Sequence, residues 1–330
     1  MNENSVCLSS LTKGIRVIWG ITSKCNLRCK HCASEFRENM ISHKVSEYFK
    51  VLMEMKKANV DTVYLSGGEP LLYNDIYEII RNGKRLGLKI TLGTNGTLLN
   101  EKAVKKLREV NIDKVFVSLD HWKKEKHDWL RGRKGSFARV VDGIKLLKKY
   151  QIKTRIDTLV WKENYMHLEK MVDFCKKLGV DEIIFAWPVK IGKAAKNYSY
   201  IFPPSKEYLR IGEKLERMRR NETKIKILFH RFKYFNASCK DCFGGKKIFY
   251  VDPSGRLGPC FWISTILNFF TEKTVFSEKF SNLMKDDVIM NFRKMIKKRY
   301  LQFGPGCPFI CLIENGNLYS KDPLFINCCK

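Results

Sequence analysis

The segment Ile15-Arg-Val-Ile-Trp-Gly-Ile-Thr-Ser-Lys-Cys25-Asn-Leu-Arg-Cys29-Lys-His-Cys32 decides how the rest of the chain is read. Its first seven residues are rich in β-branched and aromatic side chains and predict a buried strand. Three cysteines at the spacing C-x3-C-x2-C follow at once. Outward from this unit, β-rich runs recur at 62–65, 89–93, 114–119, 154–160 and 182–186, with amphipathic helical patterns at 43–58, 76–86, 101–110, 137–150 and 167–178 between them. Leu86-Gly87-Leu88 and Leu178-Gly179-Val180 place glycine where a helix stops before the next strand. This alternation predicts an α/β fold with a parallel sheet and helical crossovers. Periodicity leaves open whether the sheet is an open doubly wound one or an incomplete barrel. Either architecture puts functional groups at the carboxyl ends of the strands.

The alternation stops after Pro188. Ser205 is an expected N-cap for a basic helix running to about Arg220, followed by a strand near 224–229 and a hairpin at Asp252-Pro-Ser-Gly255. A soft boundary near residue 200 divides a core, 1–200, from a cysteine-rich remainder, 201–330. Trp122, Trp129, Trp161 and Trp187 are expected in the core.

Hydrophobic residues make up 44% of the 330, which argues against disorder. Residues 1–13 lack an apolar leader, and the longest apolar stretch, 260–270, is too short to span a bilayer. The expectation is a cytoplasmic protein with no membrane span. In that compartment the 12 cysteines read as metal ligands or reactive thiols, and nine of them fall into two groups that leave out Cys7, Cys175 and Cys329. The formal charge of +28 is spread over many short runs, such as Lys148-Lys149 and Lys297-Lys298-Arg299. Spread charge reads as a solvated surface, with a polyanionic partner the minority reading.

Three thiolates on one short loop can hold three irons of a [4Fe–4S] cube and leave the fourth without a protein ligand. The alternative is zinc, with His31 as fourth ligand. That histidine stands between two of the cysteines, and zinc motifs usually come as separated pairs.

Cys25, Cys29 and Cys32 in this pattern resemble the signature of the radical S-adenosylmethionine superfamily. The resemblance implies a partial (β/α)6 TIM-like barrel whose first loop carries a [4Fe–4S] cluster. The open iron of that cluster chelates S-adenosylmethionine, and one electron breaks a carbon–sulfur bond to give methionine and a 5′-deoxyadenosyl radical. Ser66-Gly67-Gly68-Glu69-Pro70 matches the family's GGEP segment, which contacts the methionine amino group. The same resemblance implies cofactor contacts from Asn95 within Thr94-Asn95-Gly96, from Ser118 and Asp120 after the fourth strand, and from Arg131. Read without it, Gly67-Gly68 is a turn, Asp120 a helix N-cap and Arg131 a loop residue on the surface.

In the second cysteine group, Cys239-Lys-Asp-Cys242 is followed by twelve intervening residues, Gly255, four intervening residues and Cys260, and Cys307 and Cys311 stand beyond. Paired cysteines of this kind suit a zinc ribbon or an iron–sulfur cluster equally. The pattern resembles the SPASM and Twitch extensions of radical enzymes, which implies one auxiliary [4Fe–4S] cluster on Cys239, Cys242, Cys260 and Cys311. A second cluster would need cysteines where Lys298 and Leu301 stand, leaving Cys307 and Cys328 as spare thiols.

The implied function is hydrogen abstraction from a peptide, a protein or a cofactor precursor, with an electron donor such as ferredoxin or flavodoxin. Two rivals belong to other classes. One is a non-catalytic Fe–S carrier or scaffold, which has no use for a methionine clamp. The other is an RNA-modifying radical enzyme, against which the basic residues form no visible groove with stacking aromatics.

Overall fold

A computed structural model describes residues 14–33, 43–229, 242–304 and 306–320. Strands β1 (Ile15–Thr22), β2 (Val60–Gly67), β3 (Lys89–Thr94), β4 (Lys114–Ser118), β5 (Thr154–Leu159) and β6 (Glu182–Ala186) match the six expected runs. They are joined by β7 (Lys226–Phe229), β8 (Ile248–Val251) and β9 (Leu257–Gly258) in one sheet of order β7-β6-β5-β4-β3-β2-β1-β8-β9. Every pairing is parallel except that between β8 and β9. Because β7 extends β6 and β8 flanks β1, the sheet continues past residue 200.

The six strands carry a two-residue periodicity that sorts their side chains onto two faces. Val17, Trp19, Val63, Leu65, Ile90, Leu92, Val115, Val117, Ile156, Ile183 and Phe185 are fully or nearly fully buried in the main core. That core is covered by α1 (Val45–Lys57), α2 (Ile76–Arg85), α3 (Glu101–Glu109), and, after α4 (Lys124–Arg131), by α5 (Ser136–Lys149) and α6 (Leu168–Lys177). The opposite face carries Arg16, Tyr64, Gly93, Phe116, Ser118, Arg155 and Asp157, all half-buried. The rings of Tyr64 and Phe116 lie 5.1 Å apart although β3 separates their strands. A Cβ at Gly93 would collide with the Tyr64 ring and hydroxyl, so the absent side chain lets Tyr64 lie across β3. Arg155, four strands from Arg16 in the sheet order, still helps burial depress the Arg16 pKa. In a flat sheet those strands would be about 19 Å apart. The sheet therefore curls into a partial barrel with a polar lumen.

Two local expectations differ from the structure. Residues 124–131 form a helix rather than a loop, stopped at Gly132 (φ 67°) in the left-handed region. The polar segment hides its period because it buries only one narrow face, on His127, Asp128, Leu130 and Arg131. Ser205 opens a 3-10 turn without capping it, and the basic helix α9 begins at Tyr208 after α7 (Gly192–Lys196) and α8 (Tyr198–Ile201). Trp161 and Trp187 are core residues and Trp122 packs at its edge, but Trp129 is 40% exposed. The C-terminal region adds α10 (Phe261–Leu267), α11 (Phe280–Leu283), α12 (Asp287–Phe303) and α13 (Pro308–Asn315). Among the described residues no helix is long and apolar enough to cross a membrane.

Candidate functional site

A cleft opens at the carboxyl ends of β1–β5. Its lining includes Cys25, Cys29 and Cys32 from the loop after β1, Gly67 and Gly68 after β2, Asn95 after β3, Ser118 at the end of β4, and Arg131 from α4. Tyr64, Phe116 and Asp157 line it from the barrel wall. The open space is about 710 Å³ with its solvent-facing mouth included. Strand order converts sequence segments scattered over a hundred residues into one wall.

The cysteine loop is gripped from outside. Lys30 N donates to Leu130 O (2.9 Å), Lys193 N donates to Cys32 O (3.0 Å), and Asn197 Nδ2 donates to Lys30 O (3.0 Å). Gly67 (φ 130°) and Gly68 press against the backbone of Thr22 and Lys24, where any Cβ would collide with a carbonyl oxygen. Gly68 N donates to Thr22 O (2.7 Å) and Glu69 N to Lys24 O (2.8 Å). The two glycines thus let the first two loops approach each other.

Glu69 lies behind that wall, fully buried. Its Oε1 accepts from Leu71 N (3.1 Å) and Thr94 Oγ1 (2.8 Å), and its Oε2 from Asn95 N (2.7 Å). Burial pushes its carboxyl up to about 7 against these donors. Glu69 is a strut between the β2 and β3 loops, and Pro70 opens the buried 3-10 turn that follows. Asn95 Nδ2 donates to Asn26 Oδ1 (2.8 Å) and stands 3.9 Å from Cys25 Sγ.

Asp120 also sits behind the cleft. Its Oδ2 accepts from Arg131 Nε at 2.6 Å and its Oδ1 from Leu159 N at 2.9 Å, so it caps no helix. Burial alone would raise the Asp120 pKa, but the charge of Arg131, with those of His31 and His127, holds it low. Burial of Arg131 is likewise outweighed by Asp120, which keeps the guanidinium charged. Arg131 Nη1 points to Cys29 Sγ at 3.9 Å. His31 and His127 are each pushed down to about 4, chiefly by burial. His31 Nδ1 and His127 Nε2 are buried without a hydrogen-bond partner.

Sequence reasoning missed Tyr64, Phe116, Arg155 and Asp157. Arg155 Nε and Nη2 grip both Asp157 oxygens (2.6 and 2.9 Å), and the guanidinium stacks 3.6 Å from the Phe116 ring centroid. The signal was present, since two charges two residues apart on a strand share one face.

The donor set fits an iron–sulfur cluster with an open position. Three thiol-bearing side chains border a cleft, and N–H groups of Asn95 and Arg131 face two of the sulfurs. Burial, then the neighbouring Cys29 and Glu69, raise the Cys25 pKa, against hydrogen bonds from Leu27 N and Asn95 that lower it. Among the described residues no three histidine, cysteine or carboxylate groups close around a single metal ion. The buried, partnerless His31 Nδ1, the Ser118 hydroxyl and the Arg131 charge suit a polar ligand beside the sulfurs.

In the second cysteine group, Cys242 and Cys260 pack against one apolar cluster of Ile263, Phe292, Ile296 and Phe309. Cys311 is fully buried and accepts from Arg299 Nη2 at 3.1 Å, while Cys307 N-caps α13 and is exposed. Cys7, Cys239, Cys328 and Cys329 lie outside the described residues.

Residues 19–175 match the Radical SAM superfamily. The chain is 29% identical over 283 residues to an AdoMet-dependent heme synthase of Methanosarcina barkeri (strain Fusaro / DSM 804), covering 78% of this chain and 80% of that one. It is 26% identical over 294 residues to the antilisterial bacteriocin subtilosin biosynthesis protein AlbA of Bacillus subtilis (strain 168), covering 88% and 64%. The fold matches Streptococcus suis SuiB bound to S-adenosylmethionine with a TM-score of 0.77 at 19% identity, covering 94% of this chain and 77% of that one. With its three cysteines at the mouth of a partial barrel, the segment 19–175 is a radical SAM domain, of the superfamily whose cofactors are a [4Fe–4S] cluster and S-adenosylmethionine.

Proposed function

We propose that this protein cleaves S-adenosylmethionine reductively and abstracts a hydrogen atom from a ribosomally made peptide, with a cofactor precursor as the second reading. The observation that carries the first step is the cleft bordered by Cys25, Cys29 and Cys32 and backed by the Asp120–Arg131 pair. When bound, the cluster and its sulfonium ligand supply one electron and a 5′-deoxyadenosyl radical. The chain supplies position and charge. Cys25, Cys29 and Cys32 would hold three irons, Gly67 and Gly68 bring two loops together, and Arg131 offsets thiolate charge with a group that cannot lose its proton. Asn95 and Ser118 offer hydrogen bonds to the ligand, and Tyr64 and Phe116 keep water from below.

The peptide reading is supported by two relatives. AlbA is named for bacteriocin biosynthesis, and SuiB has been solved with its precursor peptide SuiA. Similarity to heme synthases supports the cofactor-precursor reading. We further propose 1–200 as the radical core and 201–330 as the bearer of one auxiliary [4Fe–4S] cluster on Cys239, Cys242, Cys260 and Cys311. The burial of Cys311 beside Arg299 supports this.

Anaerobic reconstitution, reduction with dithionite and measurement of 5′-deoxyadenosine form the test. Formation of the nucleoside is expected; a chain that binds iron but never makes it is an Fe–S carrier instead.

A further inference from the structure

A second cleft lies apart from the first and shares no lining residue with it. Trp129 and Trp161 form its floor, their rings 5.7 Å apart and within 7° of parallel, and Tyr200 meets Trp129 edge-on at 6.3 Å. Trp161 is fully buried and anchored by its Nε1, which donates to Asp120 O at 3.2 Å. Trp129 and Tyr200 are exposed. The aromatic surface is therefore rigid below and open above, as protein-binding hot spots are.

This surface is wired to the cysteine loop. Trp129 is followed by Leu130, whose carbonyl accepts from the N–H of Lys30, and Lys30 follows Cys29. One hydrogen bond and two peptide units separate the exposed indole from a sulfur at the site. The Lys30 ammonium lies 4.9 Å over the Trp129 ring. Lys126 and Lys162 line the cleft, and Lys190 sits 4.9 Å over Tyr198, on the helix that carries Tyr200. Against these four lysines stand Glu125 and Glu163, and Glu163 is already paired with Lys126 at 2.6 Å. The net charge of the patch is positive.

We propose that the Trp129–Trp161–Tyr200 cleft is the docking port of a small acidic one-electron carrier protein that reduces the site through Leu130 and Lys30. This rests on the radical reading and deepens it by naming a surface for the reductant. The reduced carrier loses one electron, the oxidised cluster gains it, and no bond or proton changes place. Charge complementarity selects an acidic protein.

The test uses the full chain, reconstituted anaerobically, with reduced flavodoxin as the probe. The wild type should oxidise the flavodoxin in a salt-sensitive reaction. Lys162→Glu with Lys190→Glu should slow it at least about tenfold at low salt, while reduction by dithionite stays at the wild-type rate. Oxidation of flavodoxin at full rate by the double variant would overturn the proposal, as would an equal fall with dithionite. So would an Asp/Glu-rich peptide that binds the cleft without slowing the wild type's reaction with flavodoxin. If dithionite-reduced wild type makes no 5′-deoxyadenosine, the radical reading itself fails; if it does, only the docking port is at stake.

Discussion

Asp120 and Arg131 form a buried ion pair, Nε to Oδ2 at 2.6 Å, and the same guanidinium carries Nη1 to within 3.9 Å of Cys29 Sγ. The carboxylate aims the arginine. Asp120→Ala leaves a buried guanidinium unpaired, and such losses cost about 3–5 kcal/mol. Urea denaturation of the iron-free protein should show this drop, and Asp120→Asn should show a smaller one.

Cys25→Ala with Cys29→Ala and Cys32→Ala should lower bound iron by about four atoms per chain and abolish 5′-deoxyadenosine formation. The far-ultraviolet circular dichroism should not change, because the loop backbone is held by hydrogen bonds with Leu130 O, Lys193 N and the Asn197 side-chain amide. Iron content equal to wild type would remove these cysteines from the site.

Gly68→Ala sets a methyl against Lys24 O, and Gly67→Ala sets one against Thr22 O at a backbone angle that disfavours side chains. Each should destabilise by roughly 1–3 kcal/mol and weaken S-adenosylmethionine binding, measured by calorimetry. Gly179→Ala is the control, since it has positive φ but no neighbour within 4 Å.

Two buried groups give the iron-free protein opposing pH dependences. The folded-state pKa of His127 is depressed from 6.5 to about 4, so its contribution is lost as pH falls from about 6.5 toward 4. Glu69 is raised from 4.5 to about 7, so it favours the folded state increasingly as pH falls from about 7 toward 4.5. His127→Gln should therefore reduce the acid-side loss of stability and Glu69→Gln should deepen it, each by on the order of 2–3 kcal/mol. Denaturant midpoints at pH 7.5 and 5 supply the comparison, and it is the slope with pH that tests the assignment.

Cys260→Ser should remove iron from the C-terminal region and leave S-adenosylmethionine binding intact. Unchanged iron content there would assign Cys242, Cys260 and Cys311 to packing alone, which their place beside Phe292 and Phe309 also permits.

Strand positions were legible in the chain because period-2 burial and glycine stops are local properties. The six expected strands recur within a few residues of their observed ends. The polar helix α4 was not legible, since eight residues with one buried face give too weak a period. Trp129 was misplaced for a related reason: whether an indole on a short helix meets the core or solvent depends on how that helix docks.

The order of residues alone determined the parallel α/β plan, the three-cysteine loop and its position at a strand's carboxyl end, all set by short-range chemistry. Only the folded chain decided that Glu69 and Asp120 stand behind the cleft while Arg131 reaches Cys29, and that Arg155 and Phe116 support Asp157 at its edge. Those relations join residues that the curl of the sheet brings together, and curl is a property of how all the strands pack at once.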